Sequence, residues 1–125
     1  MHDPISSMMT TQTISVAMDA SVAQVEEMMR KHQISALPVI DNDEGAIIGI
    51  VSVRDLMRLH AEKRDPGMVR AWEICTYKPL EMNPEASVSD VAKMMVEKGV
   101  HHVLISEKKH LVGIVSALDF VKKHI

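Results

Sequence analysis

The sequence predicts an α/β fold made of two tandem strand-helix-strand-strand-helix repeats. Three observations predict it. Ile47-Ile48-Gly49-Ile50-Val51-Ser52-Val53-Arg54-Asp55-Leu56 recurs as Leu111-Val112-Gly113-Ile114-Val115-Ser116-Ala117-Leu118-Asp119-Phe120, with Gly, Ile, Val, Ser and Asp shared. Ala20-Ser21-Val22-x-x-Val25-x-x-Met28-Met29 recurs as Ala86-Ser87-Val88-x-x-Val91-x-x-Met94-Met95, an offset of 66 residues. The two motifs also follow in the same order in both halves, the mark of a repeat architecture. A unit of about sixty residues buries only roughly 60% of its unfolded surface. The two copies are therefore expected to pack as one body with pseudo-twofold symmetry. The expected boundaries are 1–64 for the first repeat with its N-terminal leader, 65–75 for a connection and 76–125 for the second repeat.

The elements follow in chain order. The leader over 1–9 has no pattern. Residues 11–16 alternate polar and apolar, which reads as a short strand or extended arm. Ser21 with Gln24 forms a capping box, and Val22, Val25, Met28 and Met29 follow at helical spacing, so a helix is expected over 21–32. Residues 34–40 read as a strand, with Pro38 marking an edge or a bend. Residues 41–45 read as a turn. A strand over 46–51 then runs into a helix over 53–63. Asp65-Pro66-Gly67 breaks that helix, and 68–74 suit a short helix whose Trp72 staples the connection to the body. The pattern then restarts: Leu80 and Met82 match Ile14 and Val16, a strand is expected over 100–105, and a last helix over 117–124.

Composition narrows the functions. Net charge is −3 and the pI about 6.1, so there is no basic footprint for DNA or RNA. Aromatics are limited to Trp72, Tyr77 and Phe120, too few for a base-stacking platform. Eleven methionines fill volume that aromatics usually fill. The single Cys75 allows no internal disulfide and suits a reduced, cytoplasmic setting. It is expected to be buried packing. No apolar run is long enough to cross a bilayer, and no signal peptide is expected.

The glycine-broken strand running into Ser-x-x-Asp, present twice in the right order, resembles the CBS (cystathionine-β-synthase) domain pair, or Bateman module, from about Met9 to Val121. The resemblance implies two three-stranded sheets face to face, with clefts between the repeats that take adenosine-containing ligands: AMP, ADP, ATP or S-adenosylmethionine. It also implies a homodimer, a regulatory rather than catalytic role, no required cofactor and an effector protein as partner. A ligand-free structural dimerisation module is the alternative.

The candidate site residues are Ser52 and Asp55 in the first repeat and Ser116 and Asp119 in the second. A structural role explains them: serine caps the helix and aspartate returns a bond to the backbone. A functional role uses the same geometry, because a carboxylate at a helix start can accept both hydroxyls of a ribose and nearby N–H groups can receive phosphate. The resemblance gives Asp55 and Asp119 the ribose role. The second repeat also resembles the gamma subunit of AMP-activated protein kinase, which makes Lys78 and His101 phosphate contacts, with His102 a weaker, pH-dependent cation. The first repeat has Gln12-Thr13-Ile14 and Ser35-Ala36-Leu37 at those positions and lacks the cations. A phosphorylated ligand should then prefer the second site. Arg54 either reaches that phosphate or is a solvated helix-start residue. Ile14, Ile34 and Leu37 in one cleft, and Leu80, Val100 and Val103 in the other, are candidate adenine walls. No metal site is expected, since adjacent strand histidines point to opposite faces. No nucleophile-base pair or phosphate loop suggests an enzyme.

Overall fold

The computed structural model describes residues 2–11, 14–42 and 45–123. It contains strands β1 (Thr10–Thr11), β2 (Val16–Ala17), β3 (Ala36–Ile40), β4 (Ile47–Ser52), β5 (Thr76–Tyr77), β6 (Glu81–Met82), β7 (His102–Glu107) and β8 (His110–Ser116). The helices are α1 (Val22–His32), α2 (Val53–Ala61), α3 (Ala71–Ile74), α4 (Val88–Lys98) and α5 (Ala117–Lys123), with a 3₁₀ turn at Ile5–Ser7. The predicted repeat is present as β2-α1-β3-β4-α2 and β6-α4-β7-β8-α5. The predicted strand over 11–16 is instead the ends of β1 and β2; residues 12 and 13 lie outside the described residues, as do 43, 44 and the end of the last predicted helix.

Two four-stranded sheets form, ordered β2-β3-β4-β5 and β1-β8-β7-β6. The fourth strand departs from the three expected per repeat, and its source is informative. β5 follows the first repeat and completes its sheet against β4, while β1, from the leader, completes the second repeat's sheet against β8. The chain accordingly divides into a unit over Ile14–Pro79 and a unit made of Met1–Thr13 with Leu80–Ile125. By contact, the leader packs with the second repeat and the connection with the first.

Leader and connection are in fact the same element. Ile5 donates its N–H to the Ala86 carbonyl (2.7 Å) and Val88 to the Asp3 carbonyl (2.9 Å). Sixty-six residues on, Ala71 donates to Ala20 and Val22 to Val69, both at 2.8 Å. Ile5 and Ala71 are both wholly buried. Trp72 does staple this segment, but through its backbone: its N–H donates to the Met18 carbonyl (3.1 Å) while the residue stays 44% exposed.

Helix starts follow the sequence. Ser21 and Gln24 cap α1 reciprocally, and Ser87 accepts the Asp90 N–H at the start of α4. α1 buries Val25 and Met29, and α4 buries Val88, Val91 and Met95, in the core of its unit, while Val96 of α4 stays exposed. The core of the first unit includes Val16, Val25, Met29, Leu37, Val39 and Val51; that of the second includes Ile5, Val88, Val91, Met95, Val103, Ile105 and Val115. Met29 and Met95 are buried, so this methionine pattern serves packing. Cys75 is buried too, and desolvation pushes its thiol pKa up.

Pro38 is not on an edge strand, because β3 lies between β2 and β4. It is tolerated because the parallel ladder with β2 begins only at Val39. The matching Leu104 donates its N–H to the Leu80 carbonyl at 2.9 Å. Proline has no N–H to offer Ile14 in the same way. The register shift between Val39 and Ile40 recurs between Ile105 and Ser106, after Leu104, so it belongs to the repeat and not to the proline.

Candidate functional site

Each repeat brings its Ser-x-x-Asp to the point where a buried strand becomes a helix. In the first unit Ser52 ends β4 and caps α2. Asp55 Oδ2 accepts the Ser52 N–H (2.8 Å) and the Ser52 hydroxyl (3.1 Å), and the Asp55 N–H donates to Ser52 Oγ (3.4 Å). Asp55 is only 7% exposed, the one buried charged residue among those described. Arg58 Nη1 lies 3.6 Å from its other oxygen. In the second unit the Ser116 N–H donates to Asp119 Oδ2 (2.8 Å) and the Asp119 N–H to Ser116 Oγ (3.2 Å). Asp119 is half-buried.

The preceding strand is tied to the same corner. Val53, the first residue of α2, donates its N–H to the Ser35 carbonyl (3.1 Å), and Ala117, the first of α5, donates to the His101 carbonyl (2.8 Å). Ala36 sits opposite Ser52 across the β3–β4 ladder, and His102 opposite Ser116 across β7–β8. Ser35 and Ala36 are therefore the structural counterparts of His101 and His102. Within one unit, the structure brings together Ser52, Asp55, Ser35, Ala36 and the exposed Arg54. Within the other it brings together Ser116, Asp119, His101 and His102.

Other predicted residues fall out differently. Leu37 and Val103 have no exposed surface and Ala36 only 3%, so these side chains belong to the core and do not present walls to a ligand. Ile14, Ile34, Leu80 and Val100 are half-buried and pack at the core's margin. Lys78 is exposed and belongs to the first unit, whereas His101 and Asp119 belong to the second. Its backbone is left-handed, with φ of 52°.

His102, expected as a weaker, pH-dependent cation, is half-buried and harder to protonate than a free histidine. Burial pushes its pKa below the ordinary histidine value; neighbouring His101 pushes the same way, and Asp119 opposes. A buried imidazole in this setting favours its neutral form. Among the described residues no group of three or more His, Cys, Asp or Glu is placed to hold a metal ion, and no helix is long and apolar enough to cross a membrane. Sequence reasoning missed Arg58. The signal was there, since an acid and a base three residues apart share a helix face.

Two repeats, each feeding a strand into a helix that opens on a serine and an aspartate, define a tandem α/β repeat module. The CBS domain model matches residues 5–62 and 71–124, and the chain belongs to the CBS domain family. It is 29% identical over 112 residues to the CBS domain-containing protein YhcV of Bacillus subtilis, covering 89% of this chain and 78% of that protein. Other curated relatives are longer, and the chain spans 44% and 42% of two of them. Among solved structures it is similar to the hexameric CBS-CP12 protein from bloom-forming cyanobacteria, with a TM-score of 0.91 and 27% identity over 98% of this chain and 72% of that one. The CBS domain pair of MJ0100, solved with 5′-methylthioadenosine and S-adenosyl-L-methionine, shares the fold, with a TM-score of 0.87 and 21% identity over 97% of this chain and 94% of that one.

Proposed function

We propose that the chain is a regulatory module that senses adenosine-containing ligands, AMP, ADP, ATP or S-adenosylmethionine, and signals through a dimer interface or an effector protein in the cytoplasm. One observation carries this reading. Both repeats hold a carboxylate and a serine at a helix start, beside the residue that opens the neighbouring strand. A carboxylate there suits a ribose diol, and helix-start N–H groups suit phosphate. Lys78 and Arg54, on the first unit, and His101, on the second, are the cations this reading offers to phosphate. The second repeat is the stronger site. Adenine packs against Leu80 and Val100 there, or against Ile14 in the first repeat, and the chain itself catalyses no reaction.

Calorimetric titration with each of the four ligands tests the proposal. Binding of at least one is expected, with Asp119→Ala losing more affinity than Asp55→Ala. No response to any ligand would overturn it, and equal losses would overturn the ranking of sites. Exposed Met57 on α2 and Leu118 and Val121 on α5 favour a second reading, a dimerisation module that needs no ligand. A dimer that binds none of the four ligands would support it.

A further inference from the structure

The two Ser-x-x-Asp corners differ in how far their carboxylates are already satisfied. Asp55 accepts two donors from Ser52 on one oxygen and faces the Arg58 guanidinium with the other. Asp119 accepts the Ser116 N–H and, among the described residues, forms no ion pair. The ion-pair part of the difference is written in one residue. Sixty-four positions after Arg58, in the same place on α5, stands Lys122, whose side chain is exposed.

We propose that Arg58 is an internal competitor at the first corner, occupying the face of Asp55 that a ligand's hydroxyls would use. The inference rests on the ligand reading above and adds an inhibitory contact to it. Its physical basis is saturation. A carboxylate oxygen that already faces a guanidinium offers a diol less than one facing solvent, and the diol must displace that partner. Arg58 can leave, because its side chain is 61% exposed while that of Asp55 is 8% exposed. The carboxylate is fixed by the cap and the arginine is the moving part. The buried Cys75 thiol also feels the Asp55 charge, and desolvation keeps it protonated, so it supplies no competing charge. Half-exposed ion pairs are worth little, so the competition is a modest bias of about two- to fivefold in affinity.

Adenosine is the right probe, since it carries the diol and no phosphate that Arg58 could follow. Titrations in an Asp119→Ala background read the first corner alone. There, Arg58→Gln should tighten adenosine binding about two- to fivefold, and Arg58→Lys, which copies the second repeat, should give a smaller gain. The Arg58 Nε–H NMR signal should move as adenosine saturates that corner. Unchanged or weaker binding by Arg58→Gln overturns the proposal while leaving the ligand reading intact, provided the parent protein binds adenosine ligands. Absence of binding by the parent and by Arg58→Gln alike overturns the ligand reading, and this inference with it.

Discussion

Gly49 passes so close to Cys75 that a methyl group on Gly49 would lie 2.8 Å from the Cys75 sulfur and 2.6 Å from the Thr76 carbonyl oxygen. The repeat copies the arrangement. A methyl group on Gly113 would lie 2.6 Å from the Met9 sulfur and 3.0 Å from the Thr10 carbonyl oxygen. Neither glycine has a positive φ, so the requirement is space: a strand from outside the repeat pairs beside each, Tyr77 opposite Gly49 and Thr11 opposite Gly113. Gly49→Ala should cost about 1–3 kcal/mol, as overpacking does. Gly113→Ala should cost less, because a flexible methionine end can yield where the Thr76 backbone cannot. Urea denaturation of both variants measures the difference, and equal losses would contradict this account.

Lys78 holds a left-handed backbone directly before Pro79. Residues before proline favour extended conformations, and only glycine adopts the left-handed region without cost. Lys78→Gly should raise stability by about 0.5–1 kcal/mol while weakening AMP relative to adenosine. A higher melting temperature with AMP affinity intact would remove Lys78 from the phosphate end. A lower melting temperature would show that the lysine side chain stabilises the turn.

The β7–β8 hairpin turns through Lys108 and Lys109, with φ of 51° and 68° and Glu107 paired to His110. A two-residue turn with both φ positive is the type that Asn-Gly satisfies best. Replacing Lys108-Lys109 by Asn-Gly should stabilise the protein by about 1 kcal/mol. Thermal denaturation checks it, and no gain would mean that the lysines carry compensating contacts.

His102 gives the fold a pH dependence with a definite sign. Its folded pKa lies below the unfolded value of about 6.5, chiefly because burial disfavours the charged form. The unfolded chain then binds more protons in the window just below 6.5. The contribution of His102 is complete above that value and is lost as pH falls through the window toward the folded pKa. His102→Ala, which copies Ala36 of the first repeat, should narrow the stability gap between pH 7 and pH 5.5. An unchanged gap would show that His102 is no less basic folded than unfolded.

Most of the fold was legible because it rests on periodicity. Val22, Val25 and Met29, with Val88, Val91 and Met95, announced two helices, and Ser52 with Asp55 announced where a strand turns into one. The equivalence of leader and connection was not legible. Ile5 and Ala71 do the same work in the two cores with different side chains, because burial at a small contact asks only for an apolar group of fitting size. The site was half legible. The corners at Asp55 and Asp119 could be read, since capping is local. The pairing of Arg58 with Asp55 could have been read from their spacing, but the burial of Leu37 and Val103 and the depressed basicity of His102 depend on packing that no spacing encodes.

The exchanged strands have a consequence for how the chain is made. Thr10 pairs with Ile114, so the leader's partner is synthesised 104 residues after it. At about 5–20 residues per second, the leader waits roughly 5–20 s on a growing chain. The unit closed by Thr76 needs no such delay and can form first. Ile5, wholly buried in the finished unit, shares its core with Val88, Val91 and Met95, which are likewise made long after it. The strand that completes the leader's ladder is thus made well after the unit closed by Thr76.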